Sequence, residues 1–291
     1  MKLNKKQKVI YDWLMSKPGY LKSSINNMLN MGIAEDIKVA QKQARIDYKL
    51  GSKVISPKQT KSVLKEVKGG KLDKNNVIFI PDLHAPFIKK GVLEFCKEQQ
   101  IKYNCGTVIF AGDVIDGHAW NYHEHDPDGM SVGDELEAAK IQLKPWFKAF
   151  PEAICLMGNH DLLIQRKAKT VGLSAKFIKG FGEIIEAPKT WDFKLEHIKN
   201  NVLYKHGSVG DAFKVAKSSR ISTCQGHFHS KTFVQWSVSE KDAIFGLQVG
   251  WGADRHKYAF DYGRSFSDKP VISIGLILDS GKTPIVKMMP L

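Results

Sequence analysis

Five short apolar runs of the sequence each lead into aspartate, histidine or asparagine. The runs cover residues 77–80, 107–111, 153–157, 201–204 and 222–225. The polar residues that follow them are Asp82, His84, Asp113, Asp116, Asn159, His160, Asp161, His206, His227 and His229. Short apolar runs of this length are typical of buried strands, and ligands of α/β sheets gather at the carboxyl ends of strands. The sequence therefore predicts that these side chains share one site.

Aspartate, neutral histidine and the asparagine carbonyl are ligands of divalent transition metals. Asp82 and His84, like His227 and His229, are two residues apart, and this spacing places both side chains on one side of an extended chain. A single histidine of this kind is most often an ordinary surface or core residue. Five runs that all lead to such residues instead favour a metal site.

In order along the chain, these motifs resemble those of the calcineurin-like metallophosphoesterases. They read Asp82-x-His84, Gly112-Asp113-x-x-Asp116-Gly117, Gly158-Asn159-His160-Asp161, His206 and Gly226-His227-x-His229. The resemblance covers residues 77–229 and implies that family's α/β fold, a four-layer α/β/β/α sandwich. It also implies a pair of divalent metal ions.

The resemblance further implies two groups of metal ligands joined by one bridging carboxylate, that of Asp113. The first ion would be held by Asp82, His84 and His229. The second would be held by Asn159, His206 and His227. Such shells accept manganese, iron, zinc or nickel, with the choice set partly by availability, and we expect manganese.

Three further motif residues are expected to assist catalysis. His160 would protonate the leaving oxygen or stabilise the transition state, and Asp161 would orient the His160 imidazole. Asp116 would support a ligand rather than bind metal itself. Two cations can share a hydroxide and clamp the phosphoryl oxygens, so that phosphoester hydrolysis needs no protein nucleophile. The sequence has no Walker-type glycine-rich loop, which argues against ATP-driven chemistry.

Residues 118–128 form a loop rich in histidine, aromatic and acidic residues, directly after the Asp113 motif. His118 is expected to contact the scissile phosphate because it is nearest to Asp113 in sequence. Trp120 or Tyr122 would stack on a base, a contact worth about 1–3 kcal/mol in nucleic-acid complexes. The alternatives are an extra metal site that uses His123 and His125, or a solvated loop.

A second aromatic and cationic stretch, residues 251–264, follows the last metal motif. Cations interleaved with aromatic rings are typical of surfaces that bind a nucleic-acid backbone and stack its bases. Arg255 is the substrate-binding candidate here. The alternative is the edge of an ordinary β-meander with aromatic packing.

The positive charge is concentrated at the start of the chain. The net charge is +14, and residues 1–76 hold 17 Lys and Arg against 6 Asp and Glu. This shift predicts a boundary near residue 70, between a basic helical segment (residues 1–70) and a catalytic domain (residues 71–291). Apolar spacing predicts helices over residues 4–15, 21–31 and 35–50, which is compatible with a helix-turn-helix module or with a docking appendage.

The composition fits a globular chain, with 43% hydrophobic and 25% charged residues. No apolar run is long enough to cross a bilayer, and no signal-peptide pattern follows the lysine-rich start. Cys96, Cys105, Cys155 and Cys224 lack the CxxC spacing, so we expect free thiols in a reducing, cytoplasmic setting.

The sequence thus favours a two-metal enzyme that hydrolyses phosphoester bonds in nucleic acid, as a nuclease or phosphodiesterase. The rival hypothesis is a phosphatase or phosphodiesterase that acts on nucleotides or phosphoproteins. A binding protein built on an inactive scaffold is the remote alternative, and the complete set of motif residues argues against it.

Overall fold

The structure, a computed structural model, describes residues 72–122, 125–263 and 265–289. These residues belong to the second of the two units into which the chain divides, Lys71–Leu291. The basic helices expected in residues 1–70 lie outside the described residues, as do His123 and Arg264. The domain boundary near residue 70 and the role of the basic segment therefore stay predictions.

The described residues form eleven strands. In chain order they are β1 (Asp73–Ile80), β2 (Cys105–Phe110), β3 (Ala153–Leu156), β4 (Trp191–Lys194), β5 (Glu196–Lys199), β6 (Val202–Lys205), β7 (Ser222–Gln225), β8 (Phe233–Val238), β9 (Ala243–Gln248), β10 (Ser273–Leu278) and β11 (Thr283–Met288). Each of the five apolar runs identified in the sequence overlaps one of these strands, namely β1, β2, β3, β6 and β7.

The strands form two sheets. The first sheet has the order β11-β10-β1-β2-β3-β4, and the second has the order β5-β6-β7-β9-β8. Strands β1 to β4 pair in parallel, as do β6, β7 and β9. The carboxyl ends of the parallel strands in each sheet therefore point the same way, which is the arrangement that a shared site needs.

Helices connect the strands. They are α1 (Val92–Lys102), α2 (Val132–Ala149), α3 (Leu163–Thr170), α4 (Phe181–Ile184) and α5 (Ala212–Ser219), with 3-10 helices at His118–Trp120, Ala175–Phe177, Tyr258–Gly263 and Asp279–Gly281. Among the described residues, no helix combines the length and apolarity that crossing a membrane requires.

Strand β1 lies in the core because both of its faces are apolar. Val77 and Phe79 point toward the second sheet, where they pack with Tyr204 and other buried residues. Ile78 and Ile80 point the other way and join the cluster that contains residues of α1 and α2. This alternation follows from the two-residue period of a strand, and it gives the first sheet two buried faces.

Helix α5 covers the second sheet, and a glycine lets it approach closely. A Cβ at Gly246 in β9 would lie 2.3 Å from the Cα of Phe213 in α5, so a larger residue would force the helix away. The layers are therefore helices, first sheet, second sheet and helix, and the predicted α/β/β/α fold is confirmed.

Candidate metal centre

Both sheets deliver the predicted ligand residues to one place. In the first sheet, β1 leads to Asp82 and His84, β2 leads to Asp113, and β3 leads to Asn159. In the second sheet, β6 leads to His206, and β7 leads to His227 and His229. The side chains meet where the strand ends of the two sheets adjoin.

The first ligand group consists of Asp82, His84, His229 and Asp113. Each residue offers one ligand atom, and these atoms all lie within 4.8 Å of one another. Nε2 of His84 faces Nε2 of His229 at 3.2 Å. Nε2 of His229 also lies 3.3 Å from Oδ2 of Asp82. The group has the composition and proximity that one divalent ion requires.

The second ligand group consists of Asn159, His206, His227 and, again, Asp113. Nε2 of His206 lies 3.1 Å from Oδ2 of Asp113 and 3.1 Å from Oδ1 of Asn159. Nδ1 of His227 lies 3.2 Å from the same His206 nitrogen. The carboxylate of Asp113 belongs to both groups, which is the position expected of a bridging ligand.

A polar atom without a partner shows how well metal would fit here. Oδ1 of Asp82 is buried and has no hydrogen-bond partner in the described structure. Such an atom costs about 1–3 kcal/mol if it stays unsatisfied. Pairs of imidazole nitrogens that face each other also gain from a cation between their lone pairs. The donor set of aspartate, histidine and asparagine therefore fits divalent transition metals.

Opposite charges pair at the bridging position. Burial acts to raise the pKa of Asp113, but the charges of His206 and His160 outweigh it and leave that pKa well below its ordinary range. Burial acts to lower the pKa of His206, but Asp113 and Asp82 outweigh it and raise the pKa to about 10. In the absence of bound metal, a proton on His206 thus balances the Asp113 carboxylate.

Two ligand imidazoles are oriented by hydrogen bonds from Nδ1, the ring nitrogen that faces away from the ligand group. His84 donates from Nδ1 to Oδ1 of Asp116 at 2.7 Å. His206 donates from Nδ1 to the backbone oxygen of Ala111 at 2.9 Å. Each bond fixes the ring so that Nε2 points into the ligand group. Asp116 therefore lies where a supporting residue should, next to a ligand.

The loops at the strand ends are strained. His84, Asp113 and His227 all have positive φ angles, of 52°, 45° and 69°. Each such residue costs on the order of 1–3 kcal/mol and persists only when its surroundings hold it. The backbone oxygen of Asp113 accepts bonds from the amides of Leu83 and His84, and these bonds help to hold it.

Gly158 is required by the closeness of two loops. A Cβ at this position would lie 2.0 Å from Oδ1 of Asp113. The backbone of the Asn159 loop can therefore approach the bridging carboxylate only because residue 158 has no side chain. His160 completes the contact, since its amide donates to the same Oδ1 at 2.8 Å.

The structure corrects the expected role of Asp161. Its carboxylate accepts from the amides of Gly158 and Val114, both at 2.9 Å, and its neighbours do not include the His160 ring. The His160 imidazole instead donates from Nδ1 to the backbone oxygen of Asp116. Asp161 therefore joins two site loops, and burial together with the charge of Asp113 raises its pKa to about 7.

The expected substrate contacts of the loop after β2 are not supported. Trp120 is only 8% exposed and belongs to the core, so it cannot stack on a base as it stands. His118 is 7% exposed, and its Nε2 accepts from the amide of Asp126 at 3.1 Å. Tyr122 is exposed, and the cationic groups of Arg166 and Lys167 lie over its ring.

Glu135, which the sequence motifs do not include, holds the buried start of this loop. The carboxylate is fully buried and accepts from the amides of His118 and Ala119, both at 2.8 Å. It thereby caps the 3-10 helix His118–Trp120. Burial raises the pKa of Glu135 to about 7. The signal in the sequence is its spacing of four residues from Ala139 and eight from Leu143, which places Glu135 on the buried face of α2.

Arg255, the substrate-binding candidate of the second aromatic stretch, borders a cavity. It is exposed at the edge of a cavity of about 490 Å³ whose walls include the ligands His227 and His229. The four cysteines are free and buried, and burial raises the pKa of each thiol, so none is placed for nucleophilic chemistry.

Comparison with protein families gives a match over more than half of the chain. Residues 76–265 match the calcineurin-like phosphoesterase family, a range that contains all the ligand residues described above. The comparison with curated protein sequences gave no match.

Several solved structures resemble the chain at low identity. An archaeal phosphodiesterase has 13% identity and a TM-score of 0.40, with 74% of this chain and 99% of that chain covered. Vps29 of Chaetomium thermophilum has 11% identity and a TM-score of 0.32, with 74% and 96% covered. Vacuolar protein sorting 29 of Cryptosporidium parvum has 14% identity and a TM-score of 0.36, with 74% and 96% covered.

Proposed function

Because the chain belongs to the calcineurin-like phosphoesterase family and is a metal-dependent phosphoesterase, we propose that it hydrolyses phosphodiester bonds of nucleic acid with two divalent ions, manganese being the expected metal. One observation carries the proposal: two ligand groups converge on the shared Asp113 carboxylate. When bound, the ions would supply Lewis acidity at the phosphoryl oxygens and activate water.

In this proposal, His160 acts on the leaving group, and two contacts support that role. Its Nδ1 is occupied by the backbone oxygen of Asp116, which leaves Nε2 for a substrate oxygen. Its ring lies edge-on to His84, with ring centroids 4.8 Å apart, so it adjoins the first ligand group. When the imidazole carries a proton on both ring nitrogens, Nε2 can donate its proton to the departing oxygen and leave the neutral ring, with Nδ1 still bonded to Asp116.

A basic strip that follows the Asn159–His160 loop in the sequence supports nucleic acid as the substrate. We use this name for Arg166, Lys167, Lys169, Lys176 and Lys179, which follow the Asn159–His160 loop. Between Asp161 and Glu183 the sequence contains these five cations and no acidic residue. All but Lys167 are exposed, and Lys167 is half-buried. A run of cations without acids suits a polyanion, because phosphate contacts release counterions.

An activity panel would test the substrate class. With Mn²⁺, we expect hydrolysis of single-stranded DNA or RNA to exceed that of duplex DNA, nucleotides and a phosphopeptide, as compared by kcat/KM. Chelator should abolish hydrolysis of every substrate, including bis(p-nitrophenyl) phosphate. Mass spectrometry of the metal content should find two ions per chain. Highest activity on the phosphopeptide would contradict the nucleic-acid proposal while leaving the metal centre intact.

The basic strip can be tested by neutralising Arg166, Lys167 and Lys169 to glutamine together. Nucleic-acid affinity should fall, and the slope of log affinity against log salt should become shallower by about 0.7 for each single-strand phosphate that the variant no longer neutralises. The matched control neutralises three exposed lysines outside the strip, Lys97, Lys189 and Lys241. Equal decreases of affinity in both triple variants would show that only total charge matters.

Two expectations stay predictions. Residues 1–70 would add to nucleic-acid binding through their positive charge. The cytoplasmic location would follow from the four cysteines, which are free and buried.

A further inference from the structure

A cavity opens directly beside the metal centre. Its volume is about 490 Å³, and its walls include His227 and His229, one residue from each ligand group. This volume falls in the range of about 300–1,000 Å³ that is typical of small-molecule sites. A group bound here would therefore touch the ligands and lie next to the phosphate under attack.

Four aromatic rings line the cavity. The rings are those of Phe228, Trp251, Phe260 and Phe266. Trp251 stacks on His229 with ring centroids 4.9 Å apart and an angle of 29° between the planes. Trp251 and Phe260 are nearly buried, with 2% and 6% exposure, whereas Phe266 is 56% exposed. The wall thus has a fixed inner part and an accessible outer ring.

Charged groups lie at the same cavity. Arg255 and Lys269 contribute positive charge, and Asp268 contributes one negative charge. His256 lies beside Arg255, with its Nε2 at 3.5 Å from the Arg255 Nε. Flat apolar walls beside exposed cations suit a flat aromatic group that is attached to a phosphate.

We propose that this space, here named the aromatic cavity, binds one unpaired base of the nucleotide next to the phosphate being hydrolysed. This inference rests on the proposed function and makes it narrower. The aromatic rings take the stacking positions that neighbouring bases occupy in a duplex. A paired base cannot enter, because its partner strand would have to enter with it. The substrate is therefore single-stranded, or its base leaves the stack first.

Phe266→Ala tests the stacking contact. Binding is measured in chelator, so that no hydrolysis occurs, with a short thymidine oligonucleotide and with an abasic strand of the same length. The wild type should prefer the strand with bases. The variant should lose about 5- to 100-fold of that preference, the range expected for one stacked base. Phe266→Trp keeps a ring at this position and should retain the preference.

Two further variants distinguish the contribution of the base to binding from that of the phosphate and from nonspecific effects of losing an aromatic ring. Arg255→Gln should weaken binding of the thymidine and abasic strands by the same factor, because its guanidinium would contact phosphate. Trp236→Ala removes an exposed aromatic side chain from the edge strand β8, which does not line the cavity. It should change the binding of neither the thymidine strand nor the abasic strand. Binding of blunt duplex DNA should be unaffected by Phe266→Ala.

The outcomes distinguish this inference from the proposed function. If bis(p-nitrophenyl) phosphate is hydrolysed with Mn²⁺ but Phe266→Ala leaves the preference for bases unchanged, the aromatic cavity does not bind a base. If a phosphotyrosine peptide, rather than the oligonucleotide, depends on Phe266, the cavity holds the aryl group of a peptide and the inference is overturned. Absence of all metal-dependent hydrolysis would instead overturn the proposed function.

Discussion

The two ligand groups share Asp113 but differ in charge and support. The first group contains a second carboxylate, Asp82, and its His84 is backed by the carboxylate of Asp116. The second group contains the neutral amide of Asn159, and its His206 donates from Nδ1 to a backbone oxygen, while the Asp82 carboxylate lies 3.8 Å from that nitrogen. The first position thus concentrates more negative charge around the ion it would hold.

This difference predicts that the two ions bind with unequal affinity. A carboxylate behind a ligand histidine raises its basicity and strengthens its bond to metal. We therefore expect the first group to bind its ion more tightly and the second group to exchange its ion more readily. The shared Asp113 couples the two positions. Single substitutions can therefore test whether the two ions differ in affinity.

The largest effect is expected from Asp113→Ala, which removes the one ligand that both groups share. Turnover of bis(p-nitrophenyl) phosphate should fall by more than the ~10⁴-fold upper limit of a lost general acid. Metal content should drop by at least one ion per chain. The control is Asp192→Ala, an exposed carboxylate in β4. Retention of both ions and of most of the activity would show that Asp113 is not a shared ligand of the two groups.

His160→Gln should reduce turnover by about 10²–10⁴-fold, the usual range for a general acid. Metal content should stay at two ions, because the imidazole is in neither ligand group. The loss should be smaller for esters with good leaving groups, which need little protonation. A series of aryl esters with graded leaving-group pKa measures this, and equal losses along the series would point to a purely electrostatic role for His160.

Asp116→Asn should separate the two positions. Loss of the carboxylate behind His84 should weaken the first ion by about 10–100-fold, the usual effect of removing a supporting partner. The affinity of the second ion should not change. Titration with Mn²⁺ should therefore show a smaller difference in affinity between the two positions, or a reversed order. Equal weakening of both ions would show that Asp116 acts on the whole centre rather than on the first group.

The smallest effect concerns pH. The pKa of His206, raised to about 10, means that the ion-free protein keeps this proton at neutral pH. A metal ion must displace it, so affinity at the second group should rise with pH, by up to about tenfold per unit, and level off near pH 10. Calorimetry in buffers of different ionisation enthalpy should detect the released proton. An affinity that does not change between about pH 6.5 and 8.5 would contradict this.

The sequence predicted the fold class and the convergence of the polar residues on one place because both depend on local patterns, whereas their division into two ligand groups came from the family resemblance. Each apolar run became a strand, and each polar residue after it lies at the strand end, so His206 and His227 meet although they are far apart in sequence. The glycines that allow close approach, such as Gly158, also stood within the motifs.

The contacts of the surrounding residues could not be predicted, because they depend on partners that are distant in sequence. Trp120 and Trp251 look alike in their loops and are buried in the same core, and Trp251 also lines the cavity beside the metal centre. The buried start of the loop after β2 depends on Glu135. Its carboxylate accepts hydrogen bonds from two amides that would otherwise bind water. Asp161 was assigned to its neighbour in sequence, whereas its oxygens serve Gly158 and Val114.

Each ligand group takes residues from both sheets. Asp82 and His84 of the first sheet meet His229 of the second, and Asn159 meets His206 and His227 in the same way. Bound ions would therefore act as cross-links between the layers. A ligand that binds only the folded state stabilises it by about 2.7 kcal/mol when present at 100 times its Kd. The supply of metal would then set how much of the protein survives heat or proteolysis, as well as how fast it works.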